Sequence, residues 1–309
     1  METRRLNGLE LRWGLAEHAA LAGAESLWKD VAASGRLSGH PVFRSYVEGL
    51  SFEPPGTTPW ARSLAVAVLA TKPRVLRFEL EDGVVTVPFP SCYGGSPVSR
   101  EDVRRFLAET LGGSSRCEAA ESVPLKLAAA WIGLARYGRN GLCHAPGLGS
   151  SIRLLAFWTD LPAEEPGVRP EGPAFLDRCA SCSACVRACP TCAIPTDYGC
   201  VDATRCLSLY NEIEGDLPGW IPARAHNAAI GCLACQRCCP ESGRVLADEA
   251  GTAAFSAAEL GLLQEGRDEP STNAAVARAT GRPEIDQVDA FRPVLARNLR
   301  AFLAARRMA

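Results

Sequence analysis

The alternation of apolar and polar positions predicts helices and strands mixed through the first half of the chain. Apolar residues recur at helical spacing over residues 10–38, which predicts a helix there. A continuous apolar run over residues 63–71 is typical of a buried central strand, and Ile152–Thr159 predicts a second. Between them, apolar and charged residues alternate over residues 74–88 on both sides of an Asp-Gly turn, which predicts a hairpin.

Two more helices are expected in this half. Ser99, with Asp102 three residues later, is a helix-start signal, and Val103 and Leu107 lie on the apolar face that follows. Residues 125–137 are apolar nearly all round, which predicts a buried helix. The first 160 residues therefore predict a layered α/β or α+β fold.

Prolines make residues 160–175 a stiff linker and place a domain boundary near residue 165. Past residue 245 the chain is predicted to be helical, with a capping box at Ser256 and Glu259. The expected domains are residues 1–165, 166–245 and 246–309. A last helix is predicted with one apolar face, formed by Phe291, Leu295, Leu299, Phe302 and Leu303.

Composition narrows the expected environment and partners. The chain has 309 residues, 22% of them charged, and a net charge of −2, which argues against an extended polyanion groove and against DNA as a partner. No apolar run is long enough to span a bilayer, and the first residues lack the pattern of an export signal. We therefore expect a cytoplasmic protein, in which fourteen cysteines indicate metal ligation rather than disulfides.

The cysteines form two runs. The first has the Cys-x2-Cys-x2-Cys-x3-Cys-Pro spacing of bacterial ferredoxins, which bind [4Fe–4S] clusters. The second ends in the same way, but Ala229 occupies the place of its first cysteine, and Cys206 is the available replacement. The eight predicted ligands are Cys179, Cys182, Cys185, Cys189, Cys206, Cys232, Cys235 and Cys239.

In such runs the fourth cysteine ligates the other cluster. This rule assigns one set to the first cluster: Cys179, Cys182, Cys185 and Cys239. It assigns the other set to the second cluster: Cys189, Cys206, Cys232 and Cys235. The alternative is a pair of structural zinc sites, which also use Cys-x2-Cys pairs but do not need the full frame.

The order of several motifs resembles the epoxyqueuosine reductase family, whose members are related to the corrinoid-dependent reductive dehalogenases. The motifs are Pro59-Trp-Ala-Arg-Ser-Leu-Ala-Val, the helix–loop signature from Pro124 to Asn140, Phe157-Trp-Thr-Asp-Leu-Pro162, Asp202-x3-Cys206, Asn211-x2-Glu214-Gly215 and the two cysteine runs. The match covers roughly residues 58–245.

The resemblance implies a nitroreductase-like α/β sandwich that binds base-off cobalamin, followed by a ferredoxin-like double [4Fe–4S] domain and a short helical C-terminal tail. It implies that electrons from a low-potential donor such as ferredoxin or flavodoxin pass through both clusters to cobalt. The reduced cobalt then cleaves a C–O bond of a substrate that is expected to be small or nucleoside-like. Some members of the family act on tRNA, which is the weaker of the expected partners.

The resemblance also suggests cofactor contacts in the loop after the signature helix. Tyr137, Gly138, Arg139 and Asn140, with Gly149 and Ser150 farther on, offer close backbone approach and hydrogen-bond donors to a corrinoid or a flavin. The alternative for these residues is a helix end followed by a structural turn.

Glu121 stands where the family carries an acidic proton donor, usually an aspartate, three residues before the proline of the helix signature. A carboxyl group acts as a general acid when burial raises its pKa. The alternative is an ordinary surface glutamate. The hairpin over residues 74–88 and the segment 89–93 also depart from the tRNA-acting members.

These observations predict an iron–sulfur oxidoreductase that reduces its substrate through cobalamin. The alternatives are a flavin in place of the corrinoid, or a non-catalytic electron-transfer protein for a partner enzyme.

Overall fold

The structure is a computed structural model, and it describes residues 2–112, 116–163, 174–197, 200–242, 251–282 and 284–307. The chain divides into two compact units, each made of several segments. This division differs from the predicted three consecutive domains, because Lys72–Ser96 belongs to the second unit. Most of the predicted linker, residues 164–173, lies outside the described residues. The first unit comprises Met1–Thr71, Pro97–Ser183 and Thr196–Val201, and the second Lys72–Ser96, Ala184–Pro195 and Asp202–Ala309.

A five-stranded antiparallel sheet forms the centre of the first unit. Its middle strand is the predicted apolar run, which is buried along nearly its whole length because both faces of the sheet are covered. In spatial order the strands are β1 (Glu2–Leu6), β2 (Leu9–Glu17), β3 (Ser63–Ala70), β9 (Ile152–Thr159) and β6 (Cys117–Ala119).

The predicted helix over residues 10–38 is wrong in its first half, where the chain forms β2. Leu11, Trp13 and Leu15 lie on one face of this strand and pack into the same apolar core. A four-residue spacing fits both a helix and alternate positions of a strand, so the pattern alone did not distinguish them. Pairing with β3 decided in favour of the strand. The second half is helical, as predicted, and forms α1 (Ala22–Ala33).

Helices cover both faces of this sheet. They are α1, α3 (Arg100–Gly112) and α4 (Leu125–Trp131), while the short helix α2 (Pro41–Val47) has no buried residue. On one face, Leu127 of α4 belongs to the core that also contains Trp158. On the other face, Val103 and Leu107 of α3 pack into a second core. The predicted mixture of helix and sheet is therefore confirmed, with one helix layer on each side of the sheet.

The predicted helix over residues 125–137 is confirmed only as far as Trp131. Gly133 has a φ of +77°, in the left-handed region that commonly follows a helix end. Beyond it, β7 (Arg136–Tyr137) pairs with β8 (Cys143–His144) in a small hairpin. The predicted cofactor residues 137–140 therefore lie in a hairpin and its loop, not at the end of a helix.

The second unit contains a three-stranded sheet. The predicted hairpin is confirmed as β4 (Arg74–Leu80) and β5 (Gly83–Phe89), which pair antiparallel. β10 (Thr252–Ser256) pairs parallel to β4. This long-range pairing places the hairpin in the same unit as the C-terminal segment. The predicted domain boundaries differ because a local hydrophobic pattern contains no signal for a partner so distant in sequence.

Six described helices belong to this unit: α5 (Ala184–Ala188), α6 (Leu207–Tyr210), α7 (Ala234–Arg237), α8 (Ala257–Glu265), α9 (Pro270–Thr280) and α10 (Ile285–Arg307). The capping box at Ser256 and Glu259 is confirmed at the start of α8. The predicted apolar face of α10 is confirmed, and Leu295 and Leu299 are fully buried in a core with Phe255. Within the described parts of the chain, every helix is too short or too polar to cross a membrane.

α10 also fixes the backbone around the second cysteine run. The buried Asn298 amide donates to the carbonyls of Asn211 at 2.9 Å and Ala229 at 3.0 Å. The Asn211 amide in turn donates to the carbonyl of Gly231 at 2.8 Å, next to Cys232. These bonds satisfy backbone groups that burial would otherwise leave unpaired.

We predict that Asn298→Ala lowers the free energy of unfolding by about 1–3 kcal/mol, because it leaves buried carbonyls without a donor. Asp286→Asn, an exposed change in the first turn of the same helix, is the control and should change stability by less than about 0.5 kcal/mol. Urea denaturation measures both variants. Equal stability of the two would contradict the proposed bracing by Asn298.

Candidate iron–sulfur site

Four cysteine thiols converge within the second unit: Cys189, Cys206, Cys232 and Cys235. Burial raises the pKa of Cys235 far above its usual range, and the thiols of Cys232, Cys206 and Cys189 raise it further. Such mutual effects require side chains that lie close together in a poorly solvated place. The structure thus brings together all four residues of the predicted second set.

Short turns and helix starts present these thiols. Cys206 immediately precedes α6 and Cys235 lies within α7, while Cys189 comes just after α5. Burial raises the pKa of Cys206, and the N–H groups of Ser208 and Leu209, which bond to its sulfur, oppose that rise. The free N–H groups in the first turn of a helix favour a negative sulfur in this way.

Two further sulfurs in this set receive hydrogen bonds. The backbone N–H of Ala193 donates to Cys189 Sγ at 3.2 Å. The side chain of Asn227 donates to Cys232 Sγ at 3.1 Å, and its own oxygen accepts the N–H of Leu233 at 2.8 Å. Donors of this kind stabilise thiolates. They also help to set the reduction potential of a cluster that those thiolates bind.

The type and number of these side chains are those that bind a [4Fe–4S] cluster. Zinc gathers its ligands around one centre, with sulfurs at about 2.3 Å from the metal. Among the described residues, no three His, Cys, Asp or Glu side chains are gathered closely enough to hold one metal ion. A cubane spreads its four thiolates over four irons. The four thiols of the second set match in number the four ligands that one cubane requires.

A tyrosine–glutamate pair that the sequence analysis missed lies near this set. The Tyr93 hydroxyl donates to the carboxylate of Glu212. Burial raises the pKa of both groups, and for Tyr93 the nearby thiols of Cys92 and Cys206 also contribute. Gly231 makes room for the Tyr93 ring, since a Cβ there would lie 2.5 Å from it. Neither residue lies in a recognisable spacing, so the sequence contained no signal for the pair.

The members of the predicted first set are divided between the units. Cys179 and Cys182 belong to the first unit, and Cys185 and Cys239 belong to the second. Within the second unit, Cys185 lies near enough to Cys235 to raise the pKa of that thiol. The assignment of the four cysteines to one cluster rests on their spacing in the sequence.

Arg139, predicted to contact an organic cofactor, instead contacts the start of the first cysteine run. Its guanidinium donates to the carbonyls of Cys179 at 2.8 Å, Cys182 at 3.2 Å and Thr196. Its backbone N–H points at Cys179 Sγ, 3.5 Å away. The residue as a whole is only 9% exposed. The N–H donors of Arg139 named here are therefore engaged with the protein itself.

The neighbours of Arg139 are also engaged within the first unit. The Asn140 side-chain oxygen lies 3.2 Å from His144 Nε2, and both residues are buried. Gly138 fits only because it has no side chain, since a Cβ would lie 2.6 Å from each of those two atoms. Tyr137 is half-buried, and its backbone bonds to Ala174 and Leu176. This part of the loop therefore forms an internal network, which favours the structural alternative.

The second predicted cofactor segment is a tight turn. Gly149 has a φ of +57° and its carbonyl accepts the N–H of Ala145 at 3.0 Å. Ser150 follows and is half-buried. Next to it, the buried hydroxyl of Ser151 has no hydrogen-bond partner among the described residues. Cofactor binding by Gly149 and Ser150 stays a prediction.

Glu121 lies in the loop before α4, but it is not buried. Its side chain is 73% exposed, and its carboxylate forms an ion pair with Arg100. The predicted proton-donor role depended on burial in an apolar site, which this position does not provide. The role of Glu121 as a general acid stays a prediction.

Comparison with known proteins agrees with this site. Residues 178–242 match the family model of the 4Fe-4S double cluster binding domain. This stretch lies within the predicted cluster domain, residues 166–245, and contains all eight predicted ligands. The fold and the cysteine runs thus define an iron–sulfur protein of the double-cluster class.

Relatives and solved structures narrow the class. Epoxyqueuosine reductase from Staphylococcus aureus is 33% identical over 110 residues, which is 36% of this chain and 27% of that protein. The structure of epoxyqueuosine reductase from Bacillus subtilis, with its catalytic loop swung out of the active site, is similar with a TM-score of 0.61 at 21% identity, covering 95% of this chain and 77% of that chain. Epoxyqueuosine reductase with a tRNA-Tyr epoxyqueuosine-modified tRNA stem loop gives a TM-score of 0.60 at 22% identity and the same coverage.

The resemblance predicted from the motifs is confirmed: the chain is an epoxyqueuosine reductase-like iron–sulfur protein. The sequence match spans only about a quarter of the Staphylococcus aureus relative. The likeness to the solved structures extends over nearly the whole chain and concerns the fold.

We predict that Cys206→Ala lowers the iron content of the reconstituted protein from about eight to about four per chain, because it removes one of the four ligands of a cubane. Cys238→Ala is the matched control, since Cys238 adjoins Cys239 but lies outside the ligand frame. Iron and sulfide assays measure both. Full iron in Cys206→Ala, or halved iron in Cys238→Ala, would show that the ligand assignment is wrong.

Proposed function

We propose that the chain is an iron–sulfur oxidoreductase that holds two [4Fe–4S] clusters and delivers electrons singly for the reductive cleavage of a substrate bond. The observation that supports this most strongly is the convergence of Cys189, Cys206, Cys232 and Cys235, with N–H donors aimed at their sulfurs. Thiolate-held clusters of this kind reach low reduction potentials. The eight ligands are those predicted from the two runs.

The residues of the second set would bind and insulate one cluster. Their partial burial limits contact with water, while Asn227 and the N–H of Ala193 stabilise the negative sulfurs. The crossed assignment, in which Cys189 belongs to the second set and Cys239 to the first, holds the clusters near each other. An electron from a low-potential donor such as ferredoxin or flavodoxin can then pass from one to the next.

Cobalamin is the electron acceptor that the resemblance favours, and it would supply the two-electron cleavage chemistry. The residues predicted to contact it fit it poorly, because Arg139 and Asn140 already bond within the protein. Contacts to it from Gly149, Ser150 or other residues of the first unit stay a prediction.

The proposed substrate is a modified nucleoside in a tRNA stem loop, because a solved relative of similar fold is an epoxyqueuosine reductase bound to such a stem loop. Two arginines of α10 are engaged within the protein and are not part of the proposed contact surface. Arg297 donates to the carbonyls of Tyr210 at 2.6 Å and Ile213 at 2.9 Å, and Arg292 pairs with Asp289 at 2.7 Å.

The second candidate is a non-catalytic electron-transfer protein for a partner enzyme. Two observations favour it. Glu121 is exposed rather than buried as an acid, and the predicted cofactor donors are engaged internally. The two candidates share the clusters and differ in whether the chain itself binds a cofactor and turns over a substrate.

Titration of the anaerobically reconstituted chain with hydroxocobalamin, followed by EPR for a base-off Co(II) signal, distinguishes the two candidates. The reductase proposal expects uptake near one per chain, together with reduction of an epoxyqueuosine-modified stem loop. Iron near about eight per chain without corrinoid uptake or turnover would contradict the reductase and favour the electron-transfer protein.

We predict that Glu121→Gln lowers turnover of that stem loop by about 10²–10⁴-fold, because it removes a general acid, and leaves the iron content unchanged. Arg100→Gln is the control, since it removes the ion-pair partner but keeps the carboxyl group. Unchanged turnover in Glu121→Gln, measured where wild-type protein is active, would exclude Glu121 as the proton donor.

A further inference from the structure

We propose that Arg139 is a positioning residue for the first cluster: it holds Cys179 and Cys182 in place and favours the reduced state of the cluster that they bind. This inference rests on the proposed function, since it requires that these two cysteines ligate a cluster. It assigns Arg139 to the iron–sulfur site rather than to an organic cofactor.

The first argument is geometric. One guanidinium donates to three carbonyls. Cys179 and Cys182 are the first two cysteines of the first run, and Thr196 lies after its last cysteine. All of these residues belong to the first unit. The short 3-10 turn Asp177–Ala180 is too brief to be stable alone. The bonds from Arg139 fix the spacing of the two ligands from outside that turn.

The second argument concerns the chemistry of arginine. A guanidinium has five N–H donors in a rigid planar fork, so it can serve several carbonyls that face it from different directions. A lysine ammonium carries the same charge on a flexible stem and does not reproduce this fork. The substitution Arg139→Lys therefore separates the effect of the charge from the effect of the hydrogen-bond geometry.

The third argument is electrostatic. Arg139 as a whole residue is only 9% exposed, so its charge is only weakly screened by water. Its guanidinium reaches the carbonyl of Cys179, and its backbone N–H lies 3.5 Å from the sulfur of the same residue. Net charge and hydrogen bonds to the sulfurs set the potential of a cluster. Because reduction adds negative charge, a nearby buried cation raises the potential.

The test uses the reconstituted full chain. Arg139→Gln removes both the positive charge and the planar set of guanidinium donors. Arg139→Lys keeps the charge but removes that set of donors. Arg136→Gln is the matched control, because Arg136 lies three residues away but pairs with the exposed side chain of Asp177 at 3.0 Å. Iron content and EPR-monitored redox titration are the readouts. The signal that disappears in Cys182→Ala identifies the first cluster.

We expect Arg139→Gln to lose part of the first-cluster signal and to make its one-electron reduction about tenfold less favourable, a downward shift of about 59 mV. Arg139→Lys should lose signal but keep most of the potential, and Arg136→Gln should match wild type. The second-cluster signal should persist in every variant, which also shows that the chain is folded.

Wild-type potential and full iron in both Arg139 variants would overturn the inference. So would signal loss with an unchanged potential in Arg139→Gln, because that result shows a purely structural role. If Arg139→Gln does not fold, Arg139→Lys still decides the geometric part, which fails if its first-cluster signal is complete. Failure of the wild-type chain to take up iron would instead contradict the proposed function itself.

Discussion

The structure around the cysteine runs depends on one constraint: thiolates that repel each other must be held together in a buried place. Burial and the neighbouring thiols both act against ionisation of Cys235. The protein opposes this cost with N–H groups at helix starts and with the amide of Asn227. A cluster supplies the remaining positive charge, so folding of this region and cluster binding are expected to be linked.

Side chains from residues far away in the sequence hold the backbone around the cysteine runs in place. Asn298 on the last helix holds the carbonyls of Asn211 and Ala229 beside the second run. Arg139, in the hairpin loop of the first unit, holds the start of the first run. In both cases a buried side chain with several donors fixes loops that have little regular structure of their own.

Much of this was accessible from local patterns. The apolar run of β3, the hairpin of β4 and β5 and the capping box of α8 were predicted because neighbouring residues determine them. The pattern predicted a helix where β2 forms, because the spacing of Leu11 and Leu15 fits both the helical and the strand period. The extent of α4 was overestimated because apolar residues continue beyond Trp131 into the turn at Gly133.

The sequence by itself determined the ligand chemistry, because the spacing of cysteines restricts which metal centre they can hold. Only the tertiary structure decided what surrounds them. Pairing of β10 with β4 joined segments far apart in the chain, and the direction of the Arg139 side chain brought its guanidinium to the carbonyls of Cys179 and Cys182. Long-range pairing and side-chain direction depend on contacts between distant residues, and a local pattern does not contain them.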